Sequence, residues 1–358
     1  MAGVFRFSNA VSDIDRFIST YKRLYGHFIE KTNNGQYFNH EEAASFLALE
    51  GLASSLGAIG EEALNRSTRP DKSRDPLYNQ HKSYSEIFRM LGWYEAGSMQ
   101  TNFKLSEYGE YIASTENPQI LKKLFSLNIL HIASPNPSTT VRGGNILRPF
   151  SMILKLMSQL GGRINRDELI IGVLACENDK DIDTLQKTAR QIRAIRQEGF
   201  SALRNGIFEL MRINHMNSDA TLGNYTRFPI SAMKWTGWAT SENNKSIYKR
   251  SVKFLQLTDT GKELAERLLA MPDIRLNDIL KYSEEEKASF VVLSNLQKLA
   301  KIGFDLGPYT NCIPLLTEKC KRILSDFNIT DDEYLFFGYQ EATKDLLRKG
   351  DKLLEQLI

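Results

Sequence analysis

Apolar and polar positions along this chain fall into a pattern that occurs three times. The first copy is MLGWYEAG followed by FKLSEYGEYIAS, marked by Gly92 and Gly109. The second is KWTGWATS followed by FLQLTDTGKELAERL, marked by Gly237 and Gly261. A weaker third is AKIGFDLG followed by IPLLTEKCKRILSDF, in which Gly303 stands first and Cys320 replaces the second glycine. Each copy predicts the same elements. An amphipathic helix stops at glycine, an aromatic or apolar strand follows, and a short polar hairpin leads to a second strand. That strand alternates apolar residues, Phe103 with Leu105 and Leu255 with Leu257. A new helix then begins, with Ser106, Thr258 or Thr317 as N-cap and an acidic residue next to suit the helix dipole. Helix, two-stranded wing, helix is the order of a winged helix. The fold class expected is therefore mainly α (α+β), with three tandem winged-helix units behind a basic N-terminal arm.

The second unit is the clearest. Ile146, Phe150, Ile153, Met157 and Leu160 recur at helical spacing, and Gly161-Gly162 ends that helix. Asn165 with Glu168 reads as a capping box opening the next one. Asp181 to Gln197 predicts a third helix that buries Ile182, Leu185, Ala189, Ile192 and Ile195 and turns Lys187 and Arg190 outward. SPNPSTTVRGG, rich in Pro, Gly, Ser and Thr, predicts an exposed loop. The expected division is an arm (1–37), a first unit (38–133), a linker (134–144), a second unit (145–271), a third, protein-contacting unit (272–337) and a C-terminal docking or linker helix (338–358). In that last segment Leu346, Leu347, Leu353, Leu354 and Leu357 form an apolar stripe, which could equally pack back on the third unit.

Composition narrows the classes. With 358 residues, 42% hydrophobic and 25% charged, the chain has material for several cores. No run approaches the ~18 apolar residues of a membrane span, and the N-terminus lacks a signal-peptide core, so a cytoplasmic protein without membrane contact is expected. Three cysteines and five histidines offer neither a disulfide framework nor a metal-ligand spacing. The net charge of +3 hides an asymmetry: from Asp273 onward there are 15 acidic and 12 basic residues, or −3, leaving +6 on the first 272. A polyanion is the partner such a front half suits.

In a winged helix the helix before the wing enters the major groove with its N-terminal end nearest the base edges. That selects two surfaces. The first contains Arg66, Arg69, Lys72, Arg74 and Lys82, suited to phosphates, with Asn79 and Gln80 as amide forks able to read adenine. The second contains Asn224, Tyr225, Thr226, Arg227 and Lys234, followed by wing residues Lys245, Lys249, Arg250 and Lys253. Trp93, Trp235 and Trp238, beside glycines at helix ends, read as core. No catalytic residue is expected. Magnesium nucleases of the PD-(D/E)XK type need the (D/E)-x-K on an apolar strand, whereas the one such triplet, Glu285 to Lys287, lies in a helical stretch capped by Ser283. Asp259-Thr260-Gly261-Lys262 has the letters of a phosphate loop without its upstream glycine.

Three tandem winged helices behind a basic arm resemble the recognition region of FokI-like type IIS restriction endonucleases and the related AlwI-like nicking enzymes. The stretches that look alike are VFRFSNAVSDIDRF, SYSEIFRMLGWYEAG with FKLSEYGEYIAS, NILRPFSMILKLMSQLGGRINRDELIIGVL and DDEYLFFGYQ. The resemblance implies double-stranded DNA as partner, bound by a monomer on an asymmetric site, with Arg6, Ser8 and Asn9 as arm contacts. It implies that Arg69, Arg74, Asn79, Lys82, Asn224, Thr226 and Arg227 face DNA, and that the third unit and C-terminal helix dock a nuclease domain or subunit. Cleavage, and the Mg2+ it needs, would belong to that nuclease, which is separate or missing here; this chain itself would use no cofactor. A tandem winged-helix transcription regulator or replication initiator is the competing reading, and an interaction scaffold a third.

Overall fold

The computed structural model describes residues 3–8, 11–31, 38–68, 71, 75–95, 102–135, 144–330 and 341–358. The chain is mainly helical with little strand. Its first third runs α1 (Ile14–Lys31), β1 (Phe38–Asn39), α2 (His40–Leu49), α3 (Gly60–Arg66), α4 (Pro76–Met90), β2 (Asn102–Phe103), α5 (Glu107–Ser114) and α6 (Pro118–Leu130). β1 pairs antiparallel with β2, Phe38 opposite Phe103, and Tyr94 bridges Leu105. So a strand before α2, the chain just after α4 and the strand before α5 meet as one small sheet.

The middle third repeats this order at larger scale. It runs α7 (Pro149–Gln159), β3 (Arg163–Asn165), α8 (Arg166–Leu169) continuing into a π-helical turn (Ile170–Leu174), α9 (Ile182–Glu198), α10 (Phe200–Ile213), α11 (Asp219–Tyr225), α12 (Arg227–Trp235), β4 (Ala239–Asn244), β5 (Val252–Leu257) and α13 (Asp259–Ala270). The three strands form one antiparallel sheet in the order β3-β5-β4. The expected capping box is present: Asn165 accepts from the Asp167 and Glu168 amides, and Glu168 accepts from the Asn165 amide.

The two halves share an atomic clasp that explains the first two sequence copies. Gly92 and Gly237 end α4 and α12 with φ of 74° and 79°, which glycine adopts freely. The Ser106 hydroxyl donates to the Gly92 carbonyl (2.6 Å) and accepts from the Gly109 amide (2.9 Å). Thr258 does the same with Gly237 (2.7 Å) and Gly261 (3.1 Å). The amides of Ser106 and Thr258 each donate 3.0 Å to the carbonyl of Trp93 or Trp238. A Cβ on Gly109 would sit 2.5 Å from the Trp93 carbonyl oxygen, and one on Gly261 2.0 Å from that of Trp238. One polar cap thus fixes helix end, strand and next helix together.

The third copy departs from this. After α14 (Leu276–Ile279) and α15 (Glu284–Lys301), the segment beyond Gly303 forms a 3-10 turn (Gly307–Asn311), α16 (Cys312–Lys319) and α17 (Lys321–Asp326), with no strand among the described residues. Thr317 is no N-cap. It lies inside α16 and its hydroxyl donates to the Ile313 carbonyl, a bond available to any mid-helix threonine. The last helix, α18 (Lys344–Leu357), packs back along α15: Leu346 is buried, and Gly350 lies so close that a Cβ would approach the Val292 methyl to 2.5 Å. The leucine stripe therefore fills this groove.

The expected arm is also different. Residues 3–8 lie against the interior, with Val4, Phe5, Phe7 and Ser8 buried and the Phe5 amide bonded to the Leu174 carbonyl (2.7 Å). Phe7 meets Phe150 (5.8 Å) and Phe228 (5.3 Å), while α1 buries Phe17, Tyr21 and Leu24 against Phe88 and Trp93. A single hydrophobic cluster consequently spans both halves. The same cluster continues into the last third, where the junction also carries an ionic network. Arg148 donates to Glu341 (2.7 and 3.1 Å) and to the Ile274 carbonyl, and pairs with Asp273 (2.8 Å), while Arg275 pairs with Asp273 and Asp179. Burial would push the Asp273 carboxyl up, but the neighbouring Arg148 and Arg275 hold it well below the usual carboxylate range.

Candidate nucleic-acid interface

α12 is covered on two sides. Phe228, Ala232 and Met233 face the core. Ser231 and Trp235, four residues apart and so on one side, donate to the Ser12 carbonyl (2.8 Å) and the Asp15 carboxylate (2.7 Å) at the start of α1. That leaves Arg227, Ile230 and Lys234, at i, i+3 and i+7, as the outward stripe, with both cations exposed.

The hairpin that follows carries more cations. The Asn244 carboxamide oxygen accepts from the Ser246 and Ile247 amides, turning the chain at the tip. Lys249 sits in the left-handed region at φ 52°. Tyr248 is buried and its hydroxyl donates to Glu168 (2.6 Å), so the tip is anchored to α8 while Lys245, Lys249 and Arg250 stand outside. Glu168 is fully buried and also takes two bonds from Arg196 (2.7 and 2.9 Å), which balances its charge. Among the described residues, no carboxylate lies within ion-pair distance of Arg227, Lys234, Lys245, Lys249, Arg250 or Lys253. Six uncompensated cations among the described residues thus lie along one helix face and the hairpin after it.

The other expected contacts fare unevenly. Thr226 is buried, and its hydroxyl caps its own turn by donating to the Gly223 carbonyl (2.7 Å); it has no outward face. Asn224 and Tyr225 are half-buried at the end of α11. Lys82 is exposed on α4 and Asn79 half-buried in its first turn, where Asp75 caps the helix. The Gln80 carbonyl oxygen is taken up by the Ser54 amide (3.3 Å). Arg66 bonds the Leu56 carbonyl (2.8 Å) and pairs with Glu62 of its own helix. Lys187 pairs with Asp183 (3.8 Å), and Arg190 donates to the Gln186 carbonyl (3.3 Å). Of the arm residues, Ser8 is buried and Arg6 lies 3.8 Å from Glu86, tying the inner segment to α4 rather than reaching outward. Asn9, Arg69, Lys72 and Arg74 lie outside the described residues.

Two residues that the sequence reading missed border the same face. They are Arg166, which follows the capping Asn165 at the start of α8, and Phe200, which opens α10. Both line a cavity beside the wing. The triplet Glu285 to Lys287 lies in α15, with Lys287 paired to Glu284, and Asp259 to Lys262 form the first turn of α13. Among the described residues no group of three or more His, Cys, Asp or Glu side chains is placed to hold a metal ion, and no helix is long and apolar enough to cross a membrane. No known family model matches the chain, and no curated protein matches it.

Proposed function

We propose that this chain recognises duplex DNA sequence-specifically, through two winged-helix units of the kind that type IIS restriction endonucleases use, with cutting performed by a magnesium-dependent nuclease domain or subunit. The observation that carries the reading is the arrangement of the middle third. α7, β3 and α8 come first, α9, α10 and α11 are interposed, and α12 then leads into a hairpin; the sheet order β3-β5-β4 places the first strand beside the last. In such a unit the helix before the hairpin lies in the major groove and the wing grips the backbone. The cations support this: Arg227 heads the outward stripe of α12 and Lys245, Lys249 and Arg250 crowd the wing. The first third repeats the order and the glycine clasp, with α4 in the place of α12. The third region, wholly helical where described and acidic in balance, is assigned to protein contact.

Salt dependence tests the reading. Binding of the purified chain to random duplex DNA should fall steeply with salt, and Lys249→Ala should lower the slope of log K against log salt by about one. Arg227→Ala should cost more on a selected site than on random DNA. Affinity insensitive to salt, or untouched by both substitutions, would count against this surface.

A further inference from the structure

Beside the wing of the middle third lies a cavity of about 430 Å³, within the range of small-ligand sites. Buried apolar residues line it: Ile164 of β3, Leu169 of α8, and Phe254 and Leu255 of β5. The exposed lining residues, which form the rim, are Arg166, Ser241, Arg250, Ser251 and Lys253, three cations and two hydroxyls with no exposed carboxylate. The single acid in the lining, Asp167, is buried and already neutralised by Arg166 (3.0 Å) and Arg204 (3.1 Å). The Arg250 guanidinium carbon stands 4.1 Å from the centroid of the Phe200 ring. Phe200 and Phe254 are the aromatic residues of the lining, and Tyr248, outside it, meets Phe200 edge-on and lies nearly parallel to Phe254. Ile230, in the middle of the outward stripe of α12, closes the remaining side.

We propose that this cavity binds one unpaired nucleotide. A planar base gains from the apolar walls and from stacking on an aromatic or guanidinium face. Its phosphate meets Arg250 and Lys253, the two rim cations outside the Asp167 pair, and the forked donors of Arg250 fit phosphate oxygens. A purely apolar ligand would leave those cations unused, and a bare anion would leave the apolar lining in contact with water. The nucleotide can come from two sources: free mononucleotide, or a base extruded from DNA lying on α12, since Ile230 belongs both to the outward stripe and to the cavity wall. Nucleotide binding here goes beyond duplex recognition and does not depend on it.

The test is calorimetric titration of the full chain with the four deoxynucleoside 5′-monophosphates, alongside the matching deoxynucleosides and inorganic phosphate. One monophosphate per chain is expected to bind, with nucleoside and phosphate each weaker by about tenfold or more. Arg250→Lys, which keeps the charge and loses the planar face, should weaken binding by about tenfold. Ser241→Trp, on the exposed face of β4, should block the mouth and abolish binding, with a thermal melt confirming that each variant is folded. Failure of all four nucleotides to bind at millimolar concentration, binding unchanged in both variants, or inorganic phosphate competing as well as the nucleotide would overturn the proposal. A duplex with one bulged 2-aminopurine separates the sources. A fluorescence change lost in Ser241→Trp identifies DNA as the supplier, and its absence beside mononucleotide binding identifies the free nucleotide; both sustain the site. Duplex binding without nucleotide binding sinks this site alone, and nucleotide binding without duplex binding sinks the duplex reading alone.

Discussion

Glycine stands at 109 and 261 because a methyl group at either position would occupy the space of a tryptophan carbonyl oxygen. Those carbonyls are backbone, already held by the Ser106 or Thr258 amide, and at Gly109 the buried Tyr21 hydroxyl lies closer still, at 1.9 Å from the added carbon. Gly109→Ala and Gly261→Ala should therefore each cost about 1–3 kcal/mol, measured by urea denaturation. A wild-type midpoint in either variant would show that the clasp has slack. Two buried histidines set a different constraint. His40 and His81 face each other Nδ1 to Nδ1 at 2.8 Å, with the His81 Nε2 3.4 Å from the Tyr94 hydroxyl. Burial, the neighbouring His40 and Arg89 all push the His81 imidazole well below its ordinary value. Below about pH 6.5 the unfolded chain binds a proton that the folded chain refuses. The contribution of His81 to stability should accordingly be constant above pH 7 and be lost as pH drops from about 6.5. His81→Asn should flatten that fall in a series of urea midpoints against pH; an equally steep fall in the variant would assign it to other groups.

Caps and glycine stops were legible at the level of elements, because they depend on neighbours three or four residues away. Ser106, Thr258 and Ser283 cap helices as their surroundings suggest, and α9 buries Ala189 and Ile192 as its periodicity requires. The third copy misled for the same reason. Thr317 followed by Glu318 has the letters of a helix start, and only the helical turn before it makes the hydroxyl bond backwards. The leucines of α18 were legible as a stripe, but not its destination, since outward docking and packing on α15 need the same spacing. Gly350 marks the answer, because a Cβ there would come within 2.5 Å of the Val292 methyl on α15. Gly350→Val should wedge α18 from α15 and lower stability by about 1–3 kcal/mol in thermal or urea unfolding. An unchanged transition would mean that α18 does not contribute to the fold.

Across the whole molecule the first two copies of the repeat could be read from sequence, whereas the third copy and the way the units join could not. Phe5 and Phe7 alternate with Arg6 and Ser8 as in any half-buried strand, and nothing local distinguishes an inner strand from a free basic arm. Their burial between Phe150, Phe228 and the Leu174 carbonyl depends on residues more than a hundred positions away. The same distance hid the cavity, whose walls come from α8, α10, α12 and the wing. Candidate cations on α12 and the wing were legible because exposure follows from helical phase and hairpin polarity; Thr226 was not, since its hydroxyl is spent within its own turn. Selection from a random duplex pool tests sequence-specific DNA recognition most directly. The purified chain should enrich one short asymmetric sequence and bind it about a thousandfold or more tighter than random duplex. A pool that returns no sequence bound more tightly than random DNA would contradict recognition, and a palindromic site would contradict a monomer acting on an asymmetric one.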